Sequence, residues 1–130
     1  MLRVRPEPDT WSVIEYVCHI RDVLAASTIR LHRTRTEDYP VVDPMLNDLR
    51  TKRFGYNHRA LPHLLDEIAD MTDGLLREAA RTSASDWDRT HCRYRGEDRT
   101  ARWLTRQAMH EGIHHLRDIV QVTSQVGTQP

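Results

Sequence analysis

Apolar positions recur at helical spacing in three long segments, separated by polar stretches rich in proline and glycine. In the first segment Val13, Tyr16, Val17, Ile20, Val23 and Leu24 form one continuous arc at 100° per residue. Ser12-Val13-Ile14-Glu15 has the form of a capping box. Trp11 before the cap and Tyr16 after it are placed as a hydrophobic staple. A helix is therefore predicted from Ser12 to about Arg35. A polar crossover follows, bearing Pro40 and Pro44, and a short helix is predicted from Asp43-Pro44 to about Arg53.

Leu61, Leu64, Leu65, Ile68, Met71, Leu75, Leu76 and Ala79 share a stripe that predicts a second long helix over 61–81. Residues 82–99 are polar, with Trp87 the large apolar anchor and Thr90–Arg95 a short strand or irregular excursion turning at Gly96. The last helix is predicted from Asp98 or Thr100 to about Val122. Leu104, Ala108, Met109, Ile113, Leu116, Ile119 and Val120 spread around it, so it is expected to be the most buried. Residues 1–10 are read as extended and 123–130 as a frayed tail. No internal repeat is apparent. The expectation is one all-α bundle domain over 1–130, with three long helices and a short one.

Composition narrows the function. Nineteen basic residues balance 19 acidic ones, which argues against a nucleic-acid or membrane-surface partner. Arg89, Arg93, Arg95, Arg99, Arg102 and Arg106 are read as a solvated face paired with Asp86, Asp88, Glu97 and Asp98. Cys18 and Cys92 have neither a CxxC nor a zinc-ribbon spacing. No apolar run approaches the roughly 20 residues that span a bilayer. The polar, proline-bearing opening does not read as a signal peptide, so a cytoplasmic protein is expected.

Histidine is over-represented, with eight in 130 residues. His110 and His114 stand four residues apart on one helix, about 40° apart around its axis, and can share an ion. His19, at the rim of the first helix's arc, is the best third ligand. Three protein nitrogens would leave an open coordination position, the pattern of a reactive metal site. His115 points about 100° from His114 and is read as surface or supporting. His32, His58, His63 and His91 have no evident partners and are read as surface residues. His110-Glu111-Gly112-Ile113-His114 also satisfies HExxH, but no third peptidase ligand follows and no sheet is predicted to bind a peptide. The peptidase interpretation is set aside.

Trp11-Ser12-Val13-Ile14-Glu15-Tyr16-Val17-Cys18-His19-Ile20-Arg21-Asp22 resembles the W-S-x-x-E-x-x-x-H-x-x-D segment of DinB-like proteins. The family includes the mycothiol-dependent maleylpyruvate isomerases and related thiol transferases. His110 to Ile119 resembles the family's last-helix H-x-x-x-H segment. The resemblance implies a four-helix bundle with a long crossover, often a homodimer, holding a metal on His19, His110 and His114. Glu15 is read as a cap; Asp22 would orient an imidazole or stand as a surface charge. Family members usually carry a full helix before the tryptophan motif. Here ten residues stand there, so a start further upstream, a partner subunit or the short helix is expected to cover the face.

The resemblance implies a metal-dependent enzyme of the thiol-transferase type. One divalent ion, zinc or nickel by ligand type with iron or manganese as alternatives, would activate a low-molecular-weight thiol such as mycothiol against an electrophilic small molecule. The alternative is a non-catalytic metal-binding or stress-related module on the same fold.

Overall fold

The computed structural model describes residues 1–127, leaving aside the side chain of Arg95. The expected three long helices and one short helix are present: α1 Val13–Thr36, α2 Asn47–Arg53, α3 Leu61–Ala80 and α4 Ala101–Gly127. Between them lie β1 Val41–Val42, β2 Thr90–Arg93 and β3 Glu97–Thr100. Among the described residues no helix is long and apolar enough to cross a membrane.

The start of α1 is fixed as its sequence predicts. The Ser12 Oγ accepts from the Glu15 N–H at 3.3 Å, and the Glu15 carboxylate accepts from the Ser12 N–H at 2.8 Å. The Trp11 and Tyr16 rings meet edge-on at 5.4 Å, closing the staple. Glu15 also accepts two hydrogen bonds from Arg5, each 2.8 Å, which tie the opening segment to the cap.

α1 is the central element, with α3 and α4 both packed on it. One core cluster joins Val13, Ile14, Val17 and Cys18 to Tyr56, Leu64 and Val122; a second joins Val23 and Leu31 to Leu75, Ala101, Leu104 and Ala108. Burial pushes the Cys18 thiol up to about 11, so it packs as a small neutral group.

Several expectations are corrected. α2 starts at Asn47 because Leu46 sits in the left-handed region (φ 53°), which a helix cannot pass through, and Val41–Val42 are drawn into strand pairing. The excursion before α4 is a three-stranded sheet, β1 parallel and β3 antiparallel to β2. Its turn uses Gly96 at φ 74°. His91 is not a surface residue: strand alternation turns it inward, 1 % exposed, with Nδ1 3.2 Å from the Thr34 hydroxyl. His32 is exposed but does have a partner, Glu78, at 3.1 Å. The octapeptides Glu15–Asp22 and Glu111–Asp118 do recur, sharing Glu-x3-His-x-Arg-Asp.

α4 departs most. It continues to Gly127, and residues 128–130 of the expected frayed tail lie outside the described residues. Nor is it the most buried helix. Met109, Ile113, Leu116 and Val120 form one stripe, each more than half exposed, because α4 has α1 on one side only. Leu65 and Leu76 of α3 are similarly uncovered.

Candidate metal centre

The inward stripe of α4 advances by threes and fours from Ala101 through Leu104 and Ala108 to Glu111, His115 and Asp118, ending at Val122. Polar side chains therefore enter the bundle where an apolar stripe would otherwise continue. On α1 the corresponding position is His19, 4 % exposed. One ligand atom from each of His19, Glu111 and His115 lies within 4.8 Å of the others.

His110 and His114 stand elsewhere. Both are exposed, their rings stacked on each other with centroids 6.1 Å apart. The expected set of His19, His110 and His114 is thus not brought together: His19 is placed as anticipated, while the α4 partners are one helical step further on. The cause is the rotation of α4. Its buried stripe runs through Ala108 and Val122, which points 111 and 115 at α1 and turns 110 and 114 outward. This also inverts the HExxH pattern, with the glutamate facing inward and both histidines facing solvent.

The site is built around His115. Its Nδ1 lies 2.8 Å from Asp118, and its Nε2 lies 3.1 Å from Glu111 on the side facing His19. A carboxylate on Nδ1 fixes the ring and leaves Nε2 for a ligand, the arrangement that supports metal-bound imidazoles. The His19 and His115 rings meet edge-on at 4.7 Å, with Trp11 5.1 Å from His19 and Tyr16 5.4 Å from His115 as an aromatic wall. Burial, and then the nearby His115, bring the His19 pKa down to about 4, so its lone pair is free at neutral pH.

The flanking acids of α1 serve the fold. Glu15 caps, as expected. Asp22, 7 % exposed, accepts from Arg21 at 3.0 and 2.9 Å, from Arg50 at 3.2 Å and from the Tyr56 hydroxyl. It is a buried anchor for α2 and the Tyr56 turn, with no hydrogen bond to His19.

The donor set suits a divalent cation. Two imidazoles and one carboxylate are a known zinc-ligand combination that leaves further positions open, and iron and manganese accept similar sets. A cavity of about 440 Å³ opens onto it, lined by His19, Glu111 and Gln107, whose Nε2 donates to Glu111 at 2.7 Å, and by Val23, Ser27, Arg30, Asn47 and Arg93. A second group, His114, His115 and Asp118, also has ligand atoms in reach of one another, but His114 is exposed.

Two signals in the sequence select the α4 residues that face His19. One is the stripe through Ala101, Leu104, Ala108 and Val122. The other is the recurrence of the first octapeptide, which aligns His19 with His115 rather than with His110 or His114.

The structure is similar to that of YfiT from Bacillus subtilis, described as "a probable metal-dependent hydrolase with an unusual four-helix bundle topology". The TM-score is 0.78 at 20% identity, over 98% of this chain and 74% of that one. At that identity the likeness concerns the fold. No curated protein sequence matches the chain. The family model of the DinB superfamily matches residues 1–119, and the chain belongs to that superfamily.

Proposed function

We propose that this chain is a divalent-metal-dependent enzyme that holds its ion on His19, Glu111 and His115. In this proposal it activates a low-molecular-weight thiol for attack on an electrophilic small molecule. The observation that carries it is the convergence of two imidazoles and a carboxylate, of which His19 and Glu111 line an open cavity. A cavity of this size suits a small-molecule substrate, and its opening onto the donor set favours an enzyme over a closed binding module. Zinc is the ion the donor set favours. When bound, it would supply a lowered pKa for a thiol or water ligated to it. The chain's own groups do the rest: Asp118 holds the His115 ring, burial keeps His19 neutral, and Trp11 and Tyr16 wall the site.

Attack by water rather than a thiol is the second reading, favoured by the description of YfiT as a metal-dependent hydrolase. A cytoplasmic setting belongs to the proposal, in keeping with the free thiols of Cys18 and Cys92.

A homodimer belongs to it too. The exposed stripe Met109–Ile113–Leu116–Val120 is centred near the midpoint of α4. Two α4 helices packed antiparallel about a two-fold axis would therefore lay stripe on stripe.

The test is elemental analysis of untagged protein purified without chelator, beside Glu111→Ala, His115→Ala and His110→Ala. About one ion per chain, lost in the first two variants and kept in the third, is the expected result. Loss in His110→Ala with retention in Glu111→Ala would return the site to the exposed pair. No ion in the parent after zinc is supplied would overturn the enzyme reading. Turnover of electrophiles with added thiols, against turnover of esters and amides without them, separates the two chemistries.

A further inference from the structure

The cavity that reaches the candidate metal centre is polar in a particular order. Its α1 wall is the stripe His19, Val23, Ser27 and Arg30, which spans about 16 Å at the helical rise. Val23, Val42, Met45, Leu46 and Ala108 supply its apolar lining. Arg30 and Arg93 both line the far end, with the exposed Asp43 beside Arg30 as the one carboxylate there.

These two arginines differ in how far they are compensated. Arg93 pairs with Glu97 at 3.1 Å and lies over the Trp103 ring at 4.7 Å. Arg30 donates to the Asp43 backbone carbonyl, and among the described residues no carboxylate oxygen lies within ion-pair distance of its guanidinium. The Asp43 side chain is near enough to favour the Arg30 charge but is exposed. Burial, and then Arg93, act in the opposite direction and lower the Arg30 pKa. A half-buried guanidinium facing a second one, without a carboxylate of its own, is a site for an anion.

A second observation points to a ligand in the same space. Asn47 lines the cavity, and its buried Oδ1 has no hydrogen-bond partner. A buried acceptor of this kind is satisfied only when a hydrogen-bond donor enters the space.

We propose that the cavity binds a small molecule with an apolar body and a carboxylate. Arg30 and Arg93 hold the carboxylate, and the opposite end faces His19 and Glu111. This names a substrate class for the proposed enzyme and rests on that reading only for which end reacts. The anion subsite itself stands on the arginines, and the Asn47 acceptor calls for a hydrogen-bond donor elsewhere on the ligand.

Binding to the metal-free, full-length protein tests it without calling on activity. Calorimetric titration with octanoate is compared with 1-octanol, which has the same chain without the charge. Octanoate is expected to bind at least tenfold tighter than the alcohol, and Arg30→Gln to remove that advantage while leaving octanol binding unchanged. Arg30→Lys keeps the charge and is expected to retain most of the advantage, which separates loss of the anion contact from loss of fold. Equal binding of acid and alcohol, binding of neither, or an advantage that survives Arg30→Gln would overturn the proposal. Metal content of the same variants is read in parallel. Arg30-dependent octanoate binding by a protein that takes up no metal would sustain the subsite and refute the enzyme.

Discussion

His91 makes the fold sensitive to mild acid. Its side chain is buried beside Thr34, and burial followed by Arg30, Arg93 and Arg99 lowers its pKa to about 4 from an ordinary 6.5, with Asp98 opposing weakly. In the unfolded chain the imidazole takes a proton near pH 6.5; in the folded one it does so only near pH 4. Between those values the unfolded state binds more protons, so stability is complete above about pH 6.5 and falls as the pH drops toward 4. Each pKa unit is worth about 1.4 kcal/mol. The full loss is then on the order of 3 kcal/mol, with about 2 kcal/mol gone by pH 5. That is a large fraction of the roughly 5–15 kcal/mol of a typical domain.

His91→Leu removes the proton site and keeps an apolar filler. Thr34 is not orphaned, since its hydroxyl still donates to the Arg30 carbonyl at 2.7 Å. Urea unfolding followed by tryptophan fluorescence at pH 7.5 and pH 5, with chelator and at one protomer concentration, measures the effect. His19, also brought down to about 4, contributes equally to both proteins and cancels in the difference. The parent is expected to lose about 2 kcal/mol more than His91→Leu between the two pH values. Losses equal within about 0.5 kcal/mol would refute the assignment of a buried neutral histidine.

Other expectations follow from single contacts. Asp118→Asn weakens the hold on the His115 ring and is expected to lower metal affinity about 10–100-fold with the fold intact, read by competition with a chromophoric chelator. Leu64→Ala empties a position with no exposure and is expected to cost about 2–5 kcal/mol in urea unfolding. Gly55→Ala places a Cβ 3.3 Å from the His58 ring at a φ of 56°, and is expected to destabilise by about 1 kcal/mol. Ile113→Asp puts a charge in the exposed α4 stripe; sedimentation is expected to show a dimer become a monomer, and an unchanged mass would remove the stripe from the interface.

How much the sequence disclosed depended on whether local chemistry or tertiary packing decided each feature. The cap at Ser12 and Glu15, the Trp11–Tyr16 staple and the reach of α1 and α3 are local, and were legible. So was the burial of His19, because the arc of α1 is well defined. The rotation of α4 was not. Its apolar residues occupy two stripes, one facing α1 and one facing out, and a wheel shared between them gives no single inward direction. The His110 and His114 pair is legible because an i, i+4 spacing is local, whereas which α4 side chains face His19 belongs to the packing. His91 was missed because a four-residue strand turns a side chain inward only once its neighbours are known.

The buried polar groups can be sorted by whether the protein itself satisfies them. Glu15 is held by Ser12 and Arg5, Asp22 by Arg21, Arg50 and Tyr56, Glu78 by Arg35 and His32, and His91 by Thr34. Each is a closed account, and a closed account stabilises or orients without needing a ligand. Groups that line the cavity break the pattern. Among the described residues His19 makes ring contacts but no hydrogen bond, and the Oδ1 of Asn47 has no partner at all. Both line the same cavity, together with an arginine that lacks a carboxylate of its own. Folding alone would favour apolar residues at such positions, since an unsatisfied buried polar group costs free energy and returns none. Their grouping around one space is what a ligand site requires: a lone pair for a cation at His19, an acceptor for a donor at Asn47, and a positive charge for an anion at Arg30.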